Sequence, residues 1–326
     1  MSDSYVIIIP SRLASTRLPR KALADICGKS LIQRVYEVAN KTRAKNVYIA
    51  TDDNEIFDHV KNFSENVIMT SKDHISGTDR IHEAANELNL NPDQTIINLQ
   101  GDEPFVPLNL VNCLAESFNS SNADIGTVIT KFLDDEDISN PNSVKVSISN
   151  TNKALYFSRS VIPDNFTNNF QNYFRHIGIY AYKKSTLDRL VILPPSNLEL
   201  LEKLEQLRFL ENSFTIQTLN YSGNIPAGID TQADLNNAIN QIKNDQPITI
   251  TDYDMTRFMM TLDDAVKLVL YAFENGKSGD IFVQKSPAST IGELSSTLKE
   301  IYNSEVKIKN IGIRHAEKMH ETLLSK

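Results

Sequence analysis

Apolar and polar positions along the chain alternate between two periods. "YVIIIP" is a continuous apolar run and reads as a buried strand. In "SLIQRVYEVANKT" the apolar positions Leu31, Val35 and Val38 recur at helical spacing. "NVYIATDD" is again strand-like and ends in polar residues. "EIFDHVKNF" is helical, "NVIMTS" strand-like, "GTDRIHEAANEL" helical, and "TIINLQGDEP" a strand that ends in acids. Strands alternating with helices predict an α/β fold with a mostly parallel sheet and helices on both faces. In such sheets ligands bind beyond the carboxyl ends of the strands. Three polar clusters fall there: the loop after the first strand, "TDD" (Thr51–Asp53) and "QGDEP" (Gln100–Pro104).

The middle third changes character. "SVKVSIS", "ALYFSRSVIP" and "HIGIYAYKK" are rich in β-branched and aromatic residues. They either extend the sheet or build an antiparallel excursion. A helical stretch, "NLELLEKLEQLRFLENS", follows, and then a turn into an amphipathic helix that ends near Asp245. Pro247 marks a break, so the expected domains are 1–246 and a small α+β appendage, 247–326. In the appendage Leu262, Val266, Val269 and Leu270, and again Leu294 and Leu298, have helical spacing, a pattern that calls for burial.

Charge changes this picture at one place. The chain has 41 acids against 33 bases, a formal net charge of -8, which argues against a nucleic-acid binder. Yet "SRLASTRLPRK" carries Arg12, Arg17, Arg20 and Lys21 with no acid among them. A basic loop after the first strand of an α/β sheet suits a phosphate ligand, because Arg forks onto phosphate oxygens and Lys supplies a point charge. Neither a Walker A loop nor GxGxxG is present. Asp102, where its strand runs out, either holds Mg²⁺ beside phosphate oxygens or caps the next helix. Asp230 in "GIDTQADL" either shares that metal, if it folds back, or caps its own helix. His176 in a strand-like run fits a core histidine, whereas Arg159 between "LYFS" and "SVIP" is awkward in a packed strand. Two cysteines without a CxxC pair, no signal peptide and no long apolar segment fit a cytoplasmic protein with no membrane insertion.

Read in order, "IIPSRLASTRLPRK", "IATDD", "SGTDR", "NLQGDEP", "NPNSVKV", "ALYFSRSVIP", "RHIGIYAY", "LEKLEQLR" and "GIDTQADL" resemble the 3-deoxy-manno-octulosonate (KDO) cytidylyltransferases, over residues 1 to about 245. The resemblance implies a Rossmann-like nucleotidyltransferase that uses Mg²⁺ to transfer CMP from CTP to KDO, for lipopolysaccharide synthesis, in an expected homodimer. A sialate-like acceptor or a degenerate nucleotide-binding scaffold are the alternatives. It further implies that Arg12, Lys21 and Arg17 hold the triphosphate and that Asp102 and Asp230 ligate the metal. Ser76, Gly77, Arg80 and Gln100 are then placed around the nucleotide, with Arg159, His176, Glu205 and Gln206 facing the sugar acid. Two positions depart from the family's "LPGKPL": Arg20 replaces a glycine and Ala22 a proline. Arg20 then either adds a phosphate contact or distorts the loop. The tail, through "MTRFMMTLDDAVKLVLYAFENG", "GDIFVQK", "STIGELSSTLKEIY" and "IGIRHAEKMHETLLS", resembles the C-terminal part of nucleotide-sugar 4,6-dehydratases and epimerases. It lacks GxGxxG and YxxxK, and Ala316 stands where that family has glycine, so it reads as a fused fragment.

Overall fold

The computed structural model describes residues 4–15, 17–132, 138–164, 173–223, 225, 228–244, 248–258, 260, 262–283, 287–301, 306–312, 319 and 320. The residues expected to mark the domain break, Asp245 and Pro247, lie outside this set, as does Ala316.

From the N-terminus run β1 (Tyr5–Ser11), a 3-10 turn (Lys21–Leu23), the hairpin β2 (Asp25–Ile26) and β3 (Lys29–Ser30), α1 (Leu31–Ala39), β4 (Asn46–Thr51), α2 (Asn54–Lys61), β5 (Val67–Met69), α3 (Gly77–Glu87), β6 (Thr95–Asn98), α4 (Leu108–Asn119) and β7 (Ile125–Lys131). Then come β8 (Lys145–Ile148), β9 (Ala154–Ser158), β10 (Phe174–Lys183), α5 (Lys184–Leu190), α6 (Asn197–Glu202), α7 (Gln206–Glu211), β11 (Ile216–Asn220) and α8 (Gln232–Asn244). The main sheet has the order β11-β7-β10-β6-β1-β4-β5, with β8 and β9 branching from β10.

The expected parallel sheet is present in β6, β1, β4 and β5. The sheet as a whole is mixed, because β10 lies antiparallel to both β6 and β7. The middle third therefore does both things its composition allowed. β10 joins the sheet, and β8 and β9 form an antiparallel excursion from its start. Parallel neighbours need a helical crossover, and among the described residues none separates β8, β9 and β10.

β1 is buried on both faces. Val6 and Ile8 join Ile81, Ala84 and Ala85 of α3 and Leu187 and Leu190 of α5 in one cluster. Ile7 and Ile9 point the other way and are equally buried. The helical stretch after β10 is not one helix. Lys203 adopts φ 56, ψ 45 and ends α6, so Glu205 and Gln206 open a new helix, α7.

The chain falls into two compact units, residues 1–238 and 239–326, dividing within α8. The second holds β12 (Ile248–Ile250), β13 (Thr256–Phe258), α9 (Leu262–Asn275), β14 (Ala288–Thr290), α10 (Ile291–Ile301) and β15 (Ile308–Asn310). β12 pairs with β15 and β13 with β14. Val266, Val269 and Leu270 of α9 are exposed rather than buried, as are Tyr271 and Phe273. Among the described residues no helix is long and apolar enough to cross a membrane.

Candidate active site

The site is built where β1 and β6 end side by side. After β1 the chain turns through the basic loop to Arg20, whose backbone is left-handed (φ 54, ψ 32), and into the 3-10 turn that carries Lys21. After β6, Gly101 passes so close to β1 that a Cβ there would sit 3.0 Å from the Pro10 carbonyl oxygen. This close approach brings Asp102 to the basic loop. The Lys21 ammonium donates to Asp102 Oδ2 at 2.5 Å and to Asp230 Oδ1 at 2.7 Å. Arg17 Nη1 lies 3.2 Å from Asp230 Oδ2.

Asp230 thus folds back to the same edge. The backbone explains how: Ile229 N–H donates to the Asp102 carbonyl at 2.9 Å, laying residues 228–230 along Asp102. The helix-cap alternative fails for both acids. At α8, Thr231 Oγ1 accepts from Asp234 N–H, and the Asp234 carboxylate accepts from Thr231 N–H, a capping box that leaves the Asp230 carboxylate facing the cavity. At α4 the capping position is Pro107. Glu103, next to Asp102, has its carboxyl pushed up to about 7 by burial and by the Asp102 charge beside it. Burial lowers the Lys21 pKa, but Asp102 and Asp230 outweigh it, and the net displacement is upward.

A cavity of about 250 Å³ opens over this group, lined by Arg12, Arg17, Lys21, Gln100, Asp102 and Asp230 among others. A second, of about 190 Å³, shares Pro10, Ser11, Arg12 and Gln100 with it and adds His74, Ile75, Ser76, Gly77 and Arg80. Arg12 lines both and, among the described residues, makes no ion pair or hydrogen bond. Arg80 differs. Its guanidinium is buried, donating to Asp52 Oδ2 at 2.8 Å and Thr70 Oγ1 at 2.6 Å. It ties α3 to the ends of β4 and β5, and Asp53 caps α2. The "TDD" cluster is therefore occupied by fold-holding contacts. Arg20 lines neither cavity; it pairs with Glu55 at the start of α2.

The remaining expected residues lie toward β10. A register shift between Ile177 and Tyr180 interrupts the β10–β7 ladder. Thr127 Oγ1 sits in the irregularity, within 3.0 Å of His176 Nε2 and donating to the Ile179 carbonyl at 2.9 Å. The His176 ring packs edge-on to Phe157 and tilted to Tyr180. Desolvation there pulls its pKa down to about 3, so the imidazole is neutral. The Glu205 carboxylate accepts from Thr78 Oγ1 at 2.9 Å, and burial raises its pKa. Gln206 is buried at the start of α7. A polar path joins the two ends: Gln100 donates to Asn98 Oδ1 at 3.0 Å, and Asn98 donates to the Tyr182 hydroxyl at 2.9 Å. The Arg159 guanidinium is committed to backbone carbonyls, donating to Glu202 at 2.8 Å, Pro141 at 2.9 Å and Lys203 at 3.4 Å.

Among the described residues no group of three or more His, Cys, Asp or Glu is arranged to hold a metal. The Asp102–Asp230 pair nonetheless has a cation between its oxygens, the Lys21 ammonium. Two hard carboxylates beside a cavity lined by Arg12, Arg17 and Lys21 are a donor set that fits Mg²⁺, which takes few protein ligands and completes its shell with phosphate and water.

Comparison with known proteins identifies the family. Residues 6–225 match the Cytidylyltransferase family model, and residues 237–326 match a second one, Polysaccharide biosynthesis protein, a broader description than the dehydratase and epimerase resemblance of the tail. The 3-deoxy-manno-octulosonate cytidylyltransferase of Francisella tularensis subsp. tularensis (strain FSC 198) is 44% identical over 236 residues, which are 70% of this chain and 94% of that protein. That of Cellvibrio japonicus is 44% identical over 248 residues, 71% of this chain and 95% of that one. A solved structure of CMP:2-keto-3-deoxy-manno-octonic acid synthetase complexed with CTP superposes with TM-score 0.69 at 37% identity, covering 74% of this chain and 99% of the other. The 4-diphosphocytidyl-2C-methyl-D-erythritol synthase of Anaerococcus prevotii, at TM-score 0.50 and 11% identity, shares the fold; 74% of this chain covers all of it.

Proposed function

The chain belongs to the 3-deoxy-manno-octulosonate cytidylyltransferases, and from that premise we propose how its residues divide the transfer of CMP from CTP to the sugar acid between them. In this reaction a sugar hydroxyl oxygen forms a bond to the α-phosphorus, the bond to pyrophosphate breaks, and the hydroxyl proton is released. Negative charge builds on the phosphoryl oxygens and the leaving group, so positioned cations are the effective catalysts. Arg12 and Lys21 clamp the triphosphate, with Arg17 at the rim. Asp102 and Asp230 would hold Mg²⁺, which when bound supplies charge neutralisation at the reacting phosphate. Ser76, Gly77 and Gln100 line the nucleotide side, and Arg80 fixes α3 there. His176, Glu205 and Gln206 form the acceptor side. Arg159 supports them by holding the turn between α6 and α7.

The observation that carries this reading is the convergence of Lys21, Arg17, Asp102 and Asp230 on one cavity from three separate loops. Purified protein incubated with CTP, Mg²⁺ and KDO should release pyrophosphate. Release with a sialic acid and none with KDO would move the acceptor assignment. We propose also that residues 247–326 are dispensable for this activity, because relatives 94–99% covered by the match carry no counterpart of them. Their removal should change kcat/KM by no more than about twofold. A tenfold loss, or insolubility, would tie the tail to the transferase.

A further inference from the structure

We propose that the Lys21 ammonium is a built-in counterion that closes the Asp102–Asp230 pair to divalent cations until a triphosphate draws it away. The inference rests on the reading of those two carboxylates as the metal-holding pair. Two negative groups are met by two positive ones. Lys21 Nζ bridges Asp102 and Asp230 at 2.5 and 2.7 Å, and Arg17 takes the other oxygen of Asp230 at 3.2 Å. The Lys21 side chain is only 16% exposed, so this is an occupied seat rather than a loose surface contact. A divalent ion entering it would confront an ammonium at contact distance, too close for solvent ions to come between the two charges.

The backbone under Lys21 is fixed. Leu23 N–H donates to the Arg20 carbonyl at 2.9 Å and Ala24 N–H to the Lys21 carbonyl at 3.1 Å. Only the four-carbon stem can swing. The adjoining cavity, also lined by Arg12, gives it a place to go once phosphate oxygens are there. Triphosphate then removes the competitor of the cation, and the cation removes the partner of the lysine. Each ligand raises the affinity of the other by the same factor. The empty enzyme neither accumulates a tightly held cation nor leaves two carboxylates bare toward an incoming polyanion.

Mn²⁺ serves as the probe, its unbound fraction read by electron paramagnetic resonance on the full chain. A non-hydrolysable CTP analogue is either absent or saturating. Without nucleotide, Lys21→Met should bind Mn²⁺ at least tenfold more tightly than the wild type, while Lys21→Arg should stay as weak as the wild type. The gain in Mn²⁺ affinity on adding the analogue should be at least tenfold smaller in Lys21→Met than in the wild type. Lys21→Gln repeats the neutral substitution should the Met variant fail to fold. If the folded neutral variants bind Mn²⁺ no more tightly than the wild type, Lys21 is no counterion and the proposal is wrong. Asp102→Asn separates the two ideas. With the analogue present it should lose Mn²⁺ binding; wild-type binding there would overturn the metal-pair reading itself.

Discussion

The charged cavity at the ends of β1 and β6 and the region around β10 solve opposite problems. At the phosphate end, charged side chains from the β1 loop, the β6 exit and residues 228–230 meet in a solvent-open cavity and are held by one another. At the β10 end the groups are set into regular elements and walled by Phe157, Tyr180 and Tyr182; the His176 imidazole is neutral there, and burial raises the pKa of Glu205. On the proposed reading the first end would work by net charge placed where charge develops, and the second would recognise the acceptor by shape and directed hydrogen bonds. Substitutions at the first should therefore fall on turnover, and at the second on the affinity for the sugar acid and on acid stability.

The largest effect is expected at the carboxylate pair. Asp102→Asn and Asp230→Asn keep the shape and remove the charge, so each should lower kcat by roughly 10²–10³-fold with little change in thermal midpoint. Steady-state kinetics over a Mg²⁺ series checks this. Near-normal activity of Asp230→Asn at low Mg²⁺ would remove that residue from the metal pair and dissolve the contrast.

At the other end, Glu205→Gln should raise the KM for the sugar acid about tenfold, the worth of one hydrogen bond to a charged group, and leave the KM for CTP unchanged. Equal effects on both substrates would show that Glu205 acts through α3, to which Thr78 ties it, and not on the acceptor.

Much of this contrast was legible in the sequence, and the illegible parts have a common cause. The basic loop, "QGDEP" and the strand-helix alternation are local signals, and each fell where expected. The direction of β10 is not local: β-branched and aromatic residues favour a strand of either polarity. The break at Lys203 has no glycine or proline to announce it. Asp230 carries an ordinary helix-start pattern, and only the approach of Ile229 to the Asp102 carbonyl turns its carboxylate into the site. Arg80 looked like a ligand-facing base because its partners, Asp52 and Thr70, come from other strand ends. Arg159, expected by resemblance to face the sugar acid, was misjudged for a similar reason: its acceptors are main-chain carbonyls, which no residue name reveals.

A smaller effect separates the ends by pH. The folded pKa of His176, about 3, lies below the ordinary value of 6.5 because burial disfavours the imidazolium. The unfolded chain takes up this proton first as pH falls. Stability contributed by the neutral ring is complete above pH 6.5 and is lost progressively between 6.5 and about 3. The slope from this one group is at most about 1.4 kcal/mol per pH unit. His176→Gln cannot be protonated, so its urea-unfolding stability should fall less steeply than that of the wild type over that window. Parallel curves would mean that the imidazole titrates normally and that this end is less desolvated than its geometry implies.

The smallest effect tests where the phosphate end stops. Arg20 stands in the basic loop, yet its side chain turns away to Glu55, and neither cavity includes it. Its backbone, at φ 54, does need the conformation that the family's glycine adopts without strain, and a side chain there costs roughly 1 kcal/mol. Set against that is the pair with Glu55. Both side chains are largely open to solvent, 60% and 46% exposed, so the pair contributes about 0–1 kcal/mol. The two terms nearly cancel, which explains how an arginine is tolerated at a position shaped for glycine. Arg20→Gly relieves the backbone and loses the pair; Arg20→Ala keeps the strain and loses the pair. The thermal midpoints should therefore rank Gly at or slightly above Arg, and Ala below both, by a few degrees in all. Pyrophosphate release should stay within about twofold in each variant, since the loop still delivers Lys21 to the carboxylates. A tenfold rise in the KM for CTP in both variants would place Arg20 on the triphosphate after all, and the charged end would extend one residue further than the cavity now defines it.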